Sequence, residues 1–125
     1  MSINDNCPCG SGIKYKKCCK LYHDGKIPSN ALILMKSRYS AYALNNAKYI
    51  QKTSLNQDDL ESIQEFSKKT NFQNLKIIEF IDGNEKAYVT FKATLFSSDK
   101  DTSFIEKSKF IKENNRWFYV DGELL

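Results

Sequence analysis

The chain has 125 residues, of which 41% are hydrophobic and 27% charged, and its formal net charge is +4. This length suffices for one hydrophobic core with a small appendage and excludes a second enzyme-sized domain. No apolar run approaches the roughly 20 residues of a membrane-spanning helix, and residues 1–6 lack the basic start and apolar stretch of a signal peptide, so we expect a soluble, cytoplasmic protein without membrane insertion.

All four cysteines lie in one short segment near the N-terminus, as two pairs separated by eight residues: Cys7, Cys9, Cys18 and Cys19. Four thiolates that converge from a turn and a short following helix form the closed tetrahedral shell that zinc prefers. Disulfides or ordinary free thiols are the alternatives, but adjacent cysteines cannot bridge each other without strain, and nothing else in the chain indicates an oxidising compartment. The spacing therefore predicts a structural site with zinc as the cofactor.

Lysines surround the cysteine segment. Residues 1–26 contain five lysines and two aspartates, a net charge of +3, whereas the other 99 residues carry +1. Zinc held by four thiolates adds two negative charges, which lowers the segment to about +1. This is a weak electrostatic basis for binding nucleic acid, so an RNA or ribosome contact ranks below a protein partner.

The segment from Lys20 to Ser29 is predicted to be a linker, because Gly25 and Pro28 interrupt it. It contains His23, the only histidine of the chain. We expect a surface or packing histidine. His23 as the fourth zinc ligand in place of one cysteine, and a catalytic role, are the alternatives.

A long helix is predicted from Ala31 to about Tyr49, with Ser29 or Asn30 as its cap and a break at residues 45–46. Arg38 lies at the edge of its apolar stripe, where the guanidinium either extends outward or reaches inward to a carboxylate. The stripe consists of Leu32, Met35, Tyr39, Tyr42 and Ala43.

A second helix is predicted from about Gln57 to Lys69, with Asn56 or Asp58 as its cap, followed by a turn at residues 70–73. The periodicity then changes to two, which indicates four strands at about residues 75–81, 87–96, 104–112 and 117–121. Residues 82–84 and 114–115 are predicted hairpin turns, and residues 97–103 a polar loop. Helices followed by an antiparallel meander predict an α+β fold with the helices packed on one side of the sheet.

Several motifs resemble known families. Residues 7–19, CPCGSGxxYxxCC, resemble the SEC-C motif, the zinc module at the C-terminus of the SecA translocation ATPase, where it contacts the chaperone SecB and the ribosome. SecA usually has histidine where this chain has Cys19. YHDG (22–25), LMKSRYSAY (34–42), EKSKF (106–110) and RWFYVDG (116–122) resemble the YchJ family of small bacterial proteins.

This resemblance implies two domains and no particular reaction. Residues 1–25, which we call the knuckle, are the SEC-C zinc motif. Residues 28–125, the cone domain, are similar to the nuclear transport factor two-like fold, in which helices pack on a curved antiparallel sheet. The YchJ pattern has histidine and tryptophan after the first long helix and a histidine beside the strand-three glutamate. This chain has Thr53-Ser54 and Phe104-Ile105 there, which weakens an enzymatic interpretation.

A sheet curved around the long helix brings polar and aromatic side chains to one concave pocket. Glu106 shares a strand face with Phe104 and Phe110, and a carboxylate between rings is costly unless it is paired, so we expect a direct hydrogen-bonded pair of Arg38 and Glu106. The alternative is that the rings are core and the pair only holds helix to sheet. The expected lining is Arg38, Tyr39, Tyr42, Glu106, Trp117, Tyr119 and Asp121.

Little in the sequence indicates catalysis, because no histidine accompanies a candidate nucleophile and zinc would consume the cysteines. The leading hypothesis is a non-catalytic zinc adaptor whose knuckle docks a protein partner, in secretion, chaperone or ribosome contexts by analogy with SecA. The alternatives are a small-molecule binder or enzyme that uses the pocket, and an RNA or ribosome contact through the basic knuckle.

Overall fold

The helices precede the strands, as the change of periodicity predicts. The structure is a computed structural model and describes residues 1–56 and 59–125. Its helices are the 3-10 helix η1 (Tyr15–Lys17), α1 (Cys19–His23), α2 (Ala31–Ala43), α3 (Ala47–Lys52) and α4 (Leu60–Lys69). Its strands are β1 (Asn71–Ile81), β2 (Lys86–Ser97), β3 (Lys100–Asp101), β4 (Phe104–Glu113) and β5 (Arg116–Leu124).

Asparagines delimit the long predicted helix. The side chain of Asn30 caps α2 by accepting a hydrogen bond of 2.9 Å from a backbone N–H three residues later. The chain breaks where predicted, because Asn45 has a φ of 58°, a left-handed conformation that asparagine tolerates. Asn46 then caps α3 by accepting from the N–H of Tyr49 at 3.3 Å. The helix expected up to Tyr49 is therefore two helices, and the second continues to Lys52.

The helix α4 begins later than expected. Its first residue is Leu60, and Asp59 occupies the N-cap position. The expected start at Gln57 and the expected cap Asp58 lie outside the described residues. Asn56, the other expected cap, lies before the helix in a bend, so that prediction is wrong.

The strand β1 begins earlier than expected. The backbone of Asn71 already pairs with Phe96, and that of Phe72 with Leu95, both on β2. The turn predicted at residues 70–73 is therefore wrong. Residues 71, 73 and 74 are polar and exposed, which hides the strand in the sequence, because pairing with a neighbouring strand decides where this strand starts.

The sheet is antiparallel with the order β1-β2-β4-β5, and the short strand β3 pairs with the end of β2. β3 lies within the predicted polar loop, because Ser98 and Asp99, with φ of 51° and 63°, turn the chain back on itself. Asn114 and Asn115, with φ of 51° and 64°, form the predicted hairpin turn between β4 and β5. Two consecutive left-handed residues match the right-handed twist of the paired strands.

The hydrophobic core lies between one face of this sheet and the helices. Alternate residues of β2 point into it, as predicted: Ala87, Val89, Phe91, Ala93 and Leu95 are all buried. From the helices come Leu34, Met35, Tyr39, Ile50 and Ile63. The protein therefore has the predicted α+β fold, a helical layer on an antiparallel sheet. Within residues 1–56 and 59–125, no helix combines the length and apolarity needed to cross a membrane.

Candidate metal centre and cavity

The four cysteines lie on a turn and at the start of α1. The backbone N–H of Cys7 donates to the carbonyl of Ile13 at 2.8 Å, which closes the loop that carries Cys9. The two glycines of this loop have φ of 82° and 78°, the left-handed region that glycine enters without strain. Cys18 immediately precedes α1, and Cys19 is its first residue.

The sulfur atoms lie close enough to share one metal ion. All four Sγ atoms are within 4.8 Å of one another, and those of Cys9 and Cys18 are 3.6 Å apart. Zinc–sulfur bonds of about 2.3 Å in a tetrahedron place the sulfurs about 3.8 Å apart, so the spacing fits. Cys7, Cys9 and Cys19 are buried, and all four thiols are free. The cluster can therefore hold a metal ion with four sulfur ligands.

The thiols compete for protons within this cluster. Hydrogen bonds from Cys19 and then Cys9 lower the pKa of Cys7. The hydrogen bonds of Cys19 to Cys7 and to Cys9, followed by burial, raise the pKa of Cys19 far above its usual range. The hydrogen bonds that favour the Cys7 thiolate thus disfavour ionisation of Cys19. A divalent cation would remove this conflict, because it stabilises all the thiolates together.

Two hydroxyl groups support the cluster. Oγ of Ser11 lies 3.2 Å from Sγ of Cys18. Oγ of Ser40, a fully buried residue of α2, lies 3.4 Å from Sγ of Cys7. A hydroxyl that donates to a thiolate offsets part of its negative charge and fixes its orientation. The cysteine cluster is therefore in direct contact with the long helix of the cone domain.

His23 also joins the knuckle to α2. Its Nε2 lies 2.8 Å from the carbonyl oxygen of Ser37, so Nε2 carries the proton and donates, and Nδ1 accepts from the hydroxyl of Tyr15 at 2.6 Å. The ring packs against Tyr49, with centroids 4.7 Å apart, and burial lowers the pKa of His23. The predicted linker starting at Lys20 is therefore wrong in its first part, since α1 is packed. Both ring nitrogens are bonded outside the cysteine cluster, which makes His23 a packing residue.

A cavity of about 230 Å³ lies between α2, α4 and the inner face of the sheet. Five of the seven residues expected in a pocket surround it, and Trp117 and Asp121 do not. The five are Arg38, Tyr39, Tyr42, Glu106 and Tyr119. Large apolar side chains outside the predicted lining form most of the remaining wall: Met35, Phe66, Phe72, Phe91, Leu95, Phe104 and Phe110.

A bulge explains why Asp121 is excluded from the cavity. Phe110 of β4 pairs with Tyr119 of β5, but the preceding residue, Lys109, pairs with Asp121. The extra residue on β5 reverses the alternation, so Asp121 turns outward and is exposed. Trp117 is on the same side of β5 as Tyr119, but it lies nearer the start of the strand, in a smaller depression next to the knuckle.

The predicted direct pair of Arg38 and Glu106 is wrong. Arg38 does point inward, with 7% of its surface exposed, but its Nη1 donates to the carbonyl of Ile50 at 3.1 Å and to the hydroxyls of Thr53 and Ser54 at 2.7 and 2.9 Å. Among the described residues, no carboxylate forms an ion pair with it. Residues at the end of α3 instead provide the acceptors for one nitrogen of the guanidinium. Thr53 and Ser54 form one of the two places at which the chain departs from the YchJ pattern.

Tyr119 lies between the two charged side chains. Cζ of Arg38 is 4.5 Å from the centroid of the Tyr119 ring, and the Tyr119 hydroxyl donates to Oε2 of Glu106 at 3.3 Å. The backbone of Tyr119 is fixed by hydrogen bonds to Thr53 and Leu55, at 2.9 and 3.0 Å. Burial and then the charge of Glu106 raise the pKa of Tyr119, so its hydroxyl remains a donor. Arg38 and Glu106 therefore interact through one aromatic ring.

Ser108 and Gly122 hold the Glu106 carboxylate in place. The Ser108 hydroxyl also donates to Oε2 of Glu106. Gly122 pairs with Ser108, and a Cβ atom at Gly122 would lie 2.3 Å from both Cδ and Oε2 of Glu106. The missing side chain thus leaves room for the carboxylate. Alternation along β4 already places Ser108 on the face of Glu106, whereas only the sheet register shows that Gly122 lies beside it.

Comparison with known proteins agrees with this architecture. Residues 30–122 match the family model described as the YchJ middle NTF2-like domain, and residues 4–21 match the SEC-C motif. The chain belongs to the YchJ family. Two similar proteins are a UPF0225 protein from Enterobacter sp. (strain 638) and the UPF0225 protein YchJ from Shigella dysenteriae serotype 1 (strain Sd197). Each is 36% identical to this chain over 124 residues, which cover 93% of this chain and 81% of the relative.

A solved relative has the same fold. The solution structure of a SEC-C motif containing protein from Rhodopseudomonas palustris matches with a TM-score of 0.85 and 29% identity, over 97% of this chain and 99% of that one. The match includes both the knuckle and the cone domain because it covers nearly all of each chain. The YchJ family therefore includes the arrangement of a SEC-C motif followed by an NTF2-like domain that this chain has.

Proposed function

We propose that this protein is a zinc-stabilised adaptor that docks a protein partner through its knuckle. The supporting observation is the exposure of apolar side chains there. Ile3, Ile13 and Leu21 are 48, 49 and 41% exposed, although the cysteines in the same segment are buried. Contiguous apolar patches rimmed by polar side chains are typical of interaction sites, and we propose that these three side chains contribute to such a patch.

The metal in this proposal is structural. Four sulfur ligands satisfy the tetrahedral preference of zinc and leave no open position for substrate or water. The knuckle is too small to fold on apolar burial alone, so the metal would supply its folding energy. The similarity of residues 4–21 to the SEC-C module of SecA, which contacts SecB and the ribosome, supports docking as the use of such a module.

The charges of the knuckle suggest the chemistry of the partner. Lys14, Lys16 and Lys17 are exposed around the loop and η1, whereas Lys20 is paired with Asp24. Exposed lysines next to apolar side chains complement a protein segment that carries acidic and apolar residues. Such charges increase the rate of association. The complex should weaken as salt is added, because salt screens the attraction between exposed charges.

An affinity capture with matched variants tests this proposal. The intact protein is immobilised and exposed to a cytoplasmic extract, before and after nuclease treatment of the extract. The proteins that it captures are compared with those captured by two variants, Lys16→Glu/Lys17→Glu and Cys18→Ser/Cys19→Ser. Lys68→Glu/Lys69→Glu, at the exposed end of α4, makes the same charge change away from the knuckle. The captured partner is then purified, and its affinity for each variant is measured by calorimetry.

We expect the purified partner to bind the intact protein and the α4 variant equally, and both knuckle variants at least about tenfold more weakly. Binding that survives in both knuckle variants would contradict docking through the knuckle. Capture that disappears with nuclease would favour the RNA alternative.

A further inference from the structure

The Glu106 carboxylate is only half engaged by the protein. Ser108 and Tyr119 both donate to the same oxygen, Oε2. Oε1 receives no hydrogen bond from any residue in the described part of the chain, although Glu106 lines the cavity. An ionised carboxylate accepts several hydrogen bonds, and one beside an apolar wall is stabilised by each further donor. The cavity therefore contains a hydrogen-bond acceptor, Oε1 of Glu106, on a carboxylate that Ser108 and Tyr119 hold in place.

The fixed charges around the cavity balance each other. Arg38 and Glu106 both line it, one positive and one negative, and the Tyr119 ring lies between them. A charged ligand would leave one net charge in this largely apolar space, which is costly. An uncharged ligand keeps the balance. The electrostatics therefore favour a neutral molecule with a hydrogen-bond donor.

The walls select the shape of such a molecule. The ring of Phe66 meets that of Phe72 at 5.9 Å and 86°, and the ring of Phe91 meets that of Phe104 at 6.0 Å and 69°. Edges and faces of rings in these orientations pack well against another planar ring. The volume of about 230 Å³ exceeds the roughly 150 Å³ that accepts benzene and falls below the roughly 300 Å³ of sites for drug-sized ligands. One or two fused rings fit this size.

We propose that the cavity of the cone domain binds an uncharged aromatic molecule of one or two rings that donates an N–H or O–H hydrogen bond to Oε1 of Glu106. The hydroxyls of Ser108 and Tyr119 orient the carboxylate, and Gly122 leaves the space in which it lies. The proposal is independent of docking at the knuckle, because all the residues that line the cavity belong to the cone domain.

Four fluorinated probes of similar size test the proposal by fluorine NMR on the full-length, metal-loaded protein. Para-fluorophenol is uncharged and carries a donor. Para-fluorotoluene has nearly the same shape without a donor, para-fluorobenzoate is an anion, and para-fluorobenzylammonium is a cation. We expect the phenol to bind about tenfold more tightly than the toluene, as a hydrogen bond to a charged acceptor implies, and both ions more weakly than the phenol.

Variants locate the binding. Glu106→Gln retains the shape of the side chain and should remove the preference for the phenol over the toluene. Glu113→Gln makes the same change on an exposed part of β4 and should leave every probe unaffected. Ala93→Leu places a larger side chain in the cavity wall and should weaken the binding of both the phenol and the toluene. Amide spectra and thermal unfolding confirm that each variant is folded.

Several outcomes would overturn the proposal. They are equal binding of the phenol and the toluene, tighter binding of either ion than of the phenol, a preference that persists in Glu106→Gln, and no binding of any probe.

Discussion

The guanidinium of Arg38 lies over the ring of Tyr119, with Cζ 4.5 Å from the ring centroid, while its Nη1 is bonded to oxygens at the end of α3. This stacking stabilises the buried positive charge, because the face of an aromatic ring carries negative potential. Arg38 thus connects α2 to α3 through hydrogen bonds and to β5 through the ring.

Replacement of Arg38 should therefore be more destabilising than replacement of Glu106. Arg38→Met leaves the carbonyl of Ile50 and the hydroxyls of Thr53 and Ser54 without their shared donor, and we expect a loss of about 2 to 4 kcal/mol in the free energy of unfolding. Glu106→Gln should cost about 1 kcal/mol. Urea denaturation measures both. Equal losses for the two variants would instead indicate a direct ion pair in solution.

Gly122→Ala should displace the carboxylate of Glu106 without unfolding the protein. The atoms that a new Cβ would meet at 2.3 Å belong to the flexible end of Glu106, which can rotate away, so we expect a loss of at most about 1 kcal/mol. The preference for para-fluorophenol should disappear. Gly83→Ala is the contrast, because its Cβ would lie 2.2 Å from the backbone oxygen of Lys86, and this variant should lose more stability. A Gly122→Ala protein that retains the probe preference would show that Gly122 does not position the carboxylate.

The purified protein should contain about one zinc ion per chain, since four thiolates fill the shell. Elemental analysis together with a thiol titration decides this. Cys18→Ser should lower the metal content, whereas Ser11→Ala, which removes only the hydroxyl beside Cys18, should retain it with weaker affinity. Protein prepared without chelator that carries little metal and four freely titratable thiols would contradict a zinc site.

Chelation should disorder the knuckle and leave the cone domain folded, because the hydrophobic core lies in the cone domain. In amide NMR spectra, signals of residues 1 to about 25 should collapse to the narrow range of disordered chains. Signals of Ser37 and Ser40 on α2 should shift, because they contact His23 and Cys7. Loss of signal dispersion throughout residues 31–122 would show that the two parts unfold as one unit.

The burial of His23 should make stability fall in acid. Burial lowers the pKa of His23 in the folded state, so the unfolded state binds the proton more readily below the ordinary histidine pKa of about 6.5. The neutral His23 ring therefore contributes fully to the free energy of unfolding above that pH, and this contribution is lost as pH falls through the folded-state pKa. Because the chain has one histidine, its ring signal in NMR reports this pKa directly.

His23→Gln isolates the effect of pH, since losses that arise from metal release affect both proteins equally. The difference in unfolding free energy between wild type and variant should shrink below about pH 6.5. A difference that grows in acid, or a folded-state pKa above the ordinary value, would show that the ring is charged when it contacts Ser37.

Local patterns were sufficient for the parts of the fold that depend on neighbours in sequence. The four cysteines, the cap at Asn30, the break at Asn45 and the burial of alternate residues on β2 all follow from spacing within about ten residues. The start of β1 does not, because it is set by pairing with β2 some 25 residues later.

The cavity required information that spacing does not contain. Arg38 was correctly placed inward, but its partners come from the end of α3, whose position depends on tertiary packing. The bulge between β4 and β5 reverses the side on which Asp121 lies, and a simple alternation cannot predict it. Gly122 illustrates the same point, since its role depends on which residue lies across from it on β4.

The helix α2 carries Ser40, which contacts the cysteine cluster, only two residues after Arg38, which lines the cavity. Both sites therefore include residues of the same helix. Any displacement of α2 on metal loading would alter affinity in the cavity, and thermodynamic reciprocity then requires a cavity ligand to alter the affinity for metal by the same factor. If the knuckle holds zinc and the cavity binds the proposed ligand, a cell with scarce zinc would contain this protein with a different affinity for that ligand than a cell with abundant zinc.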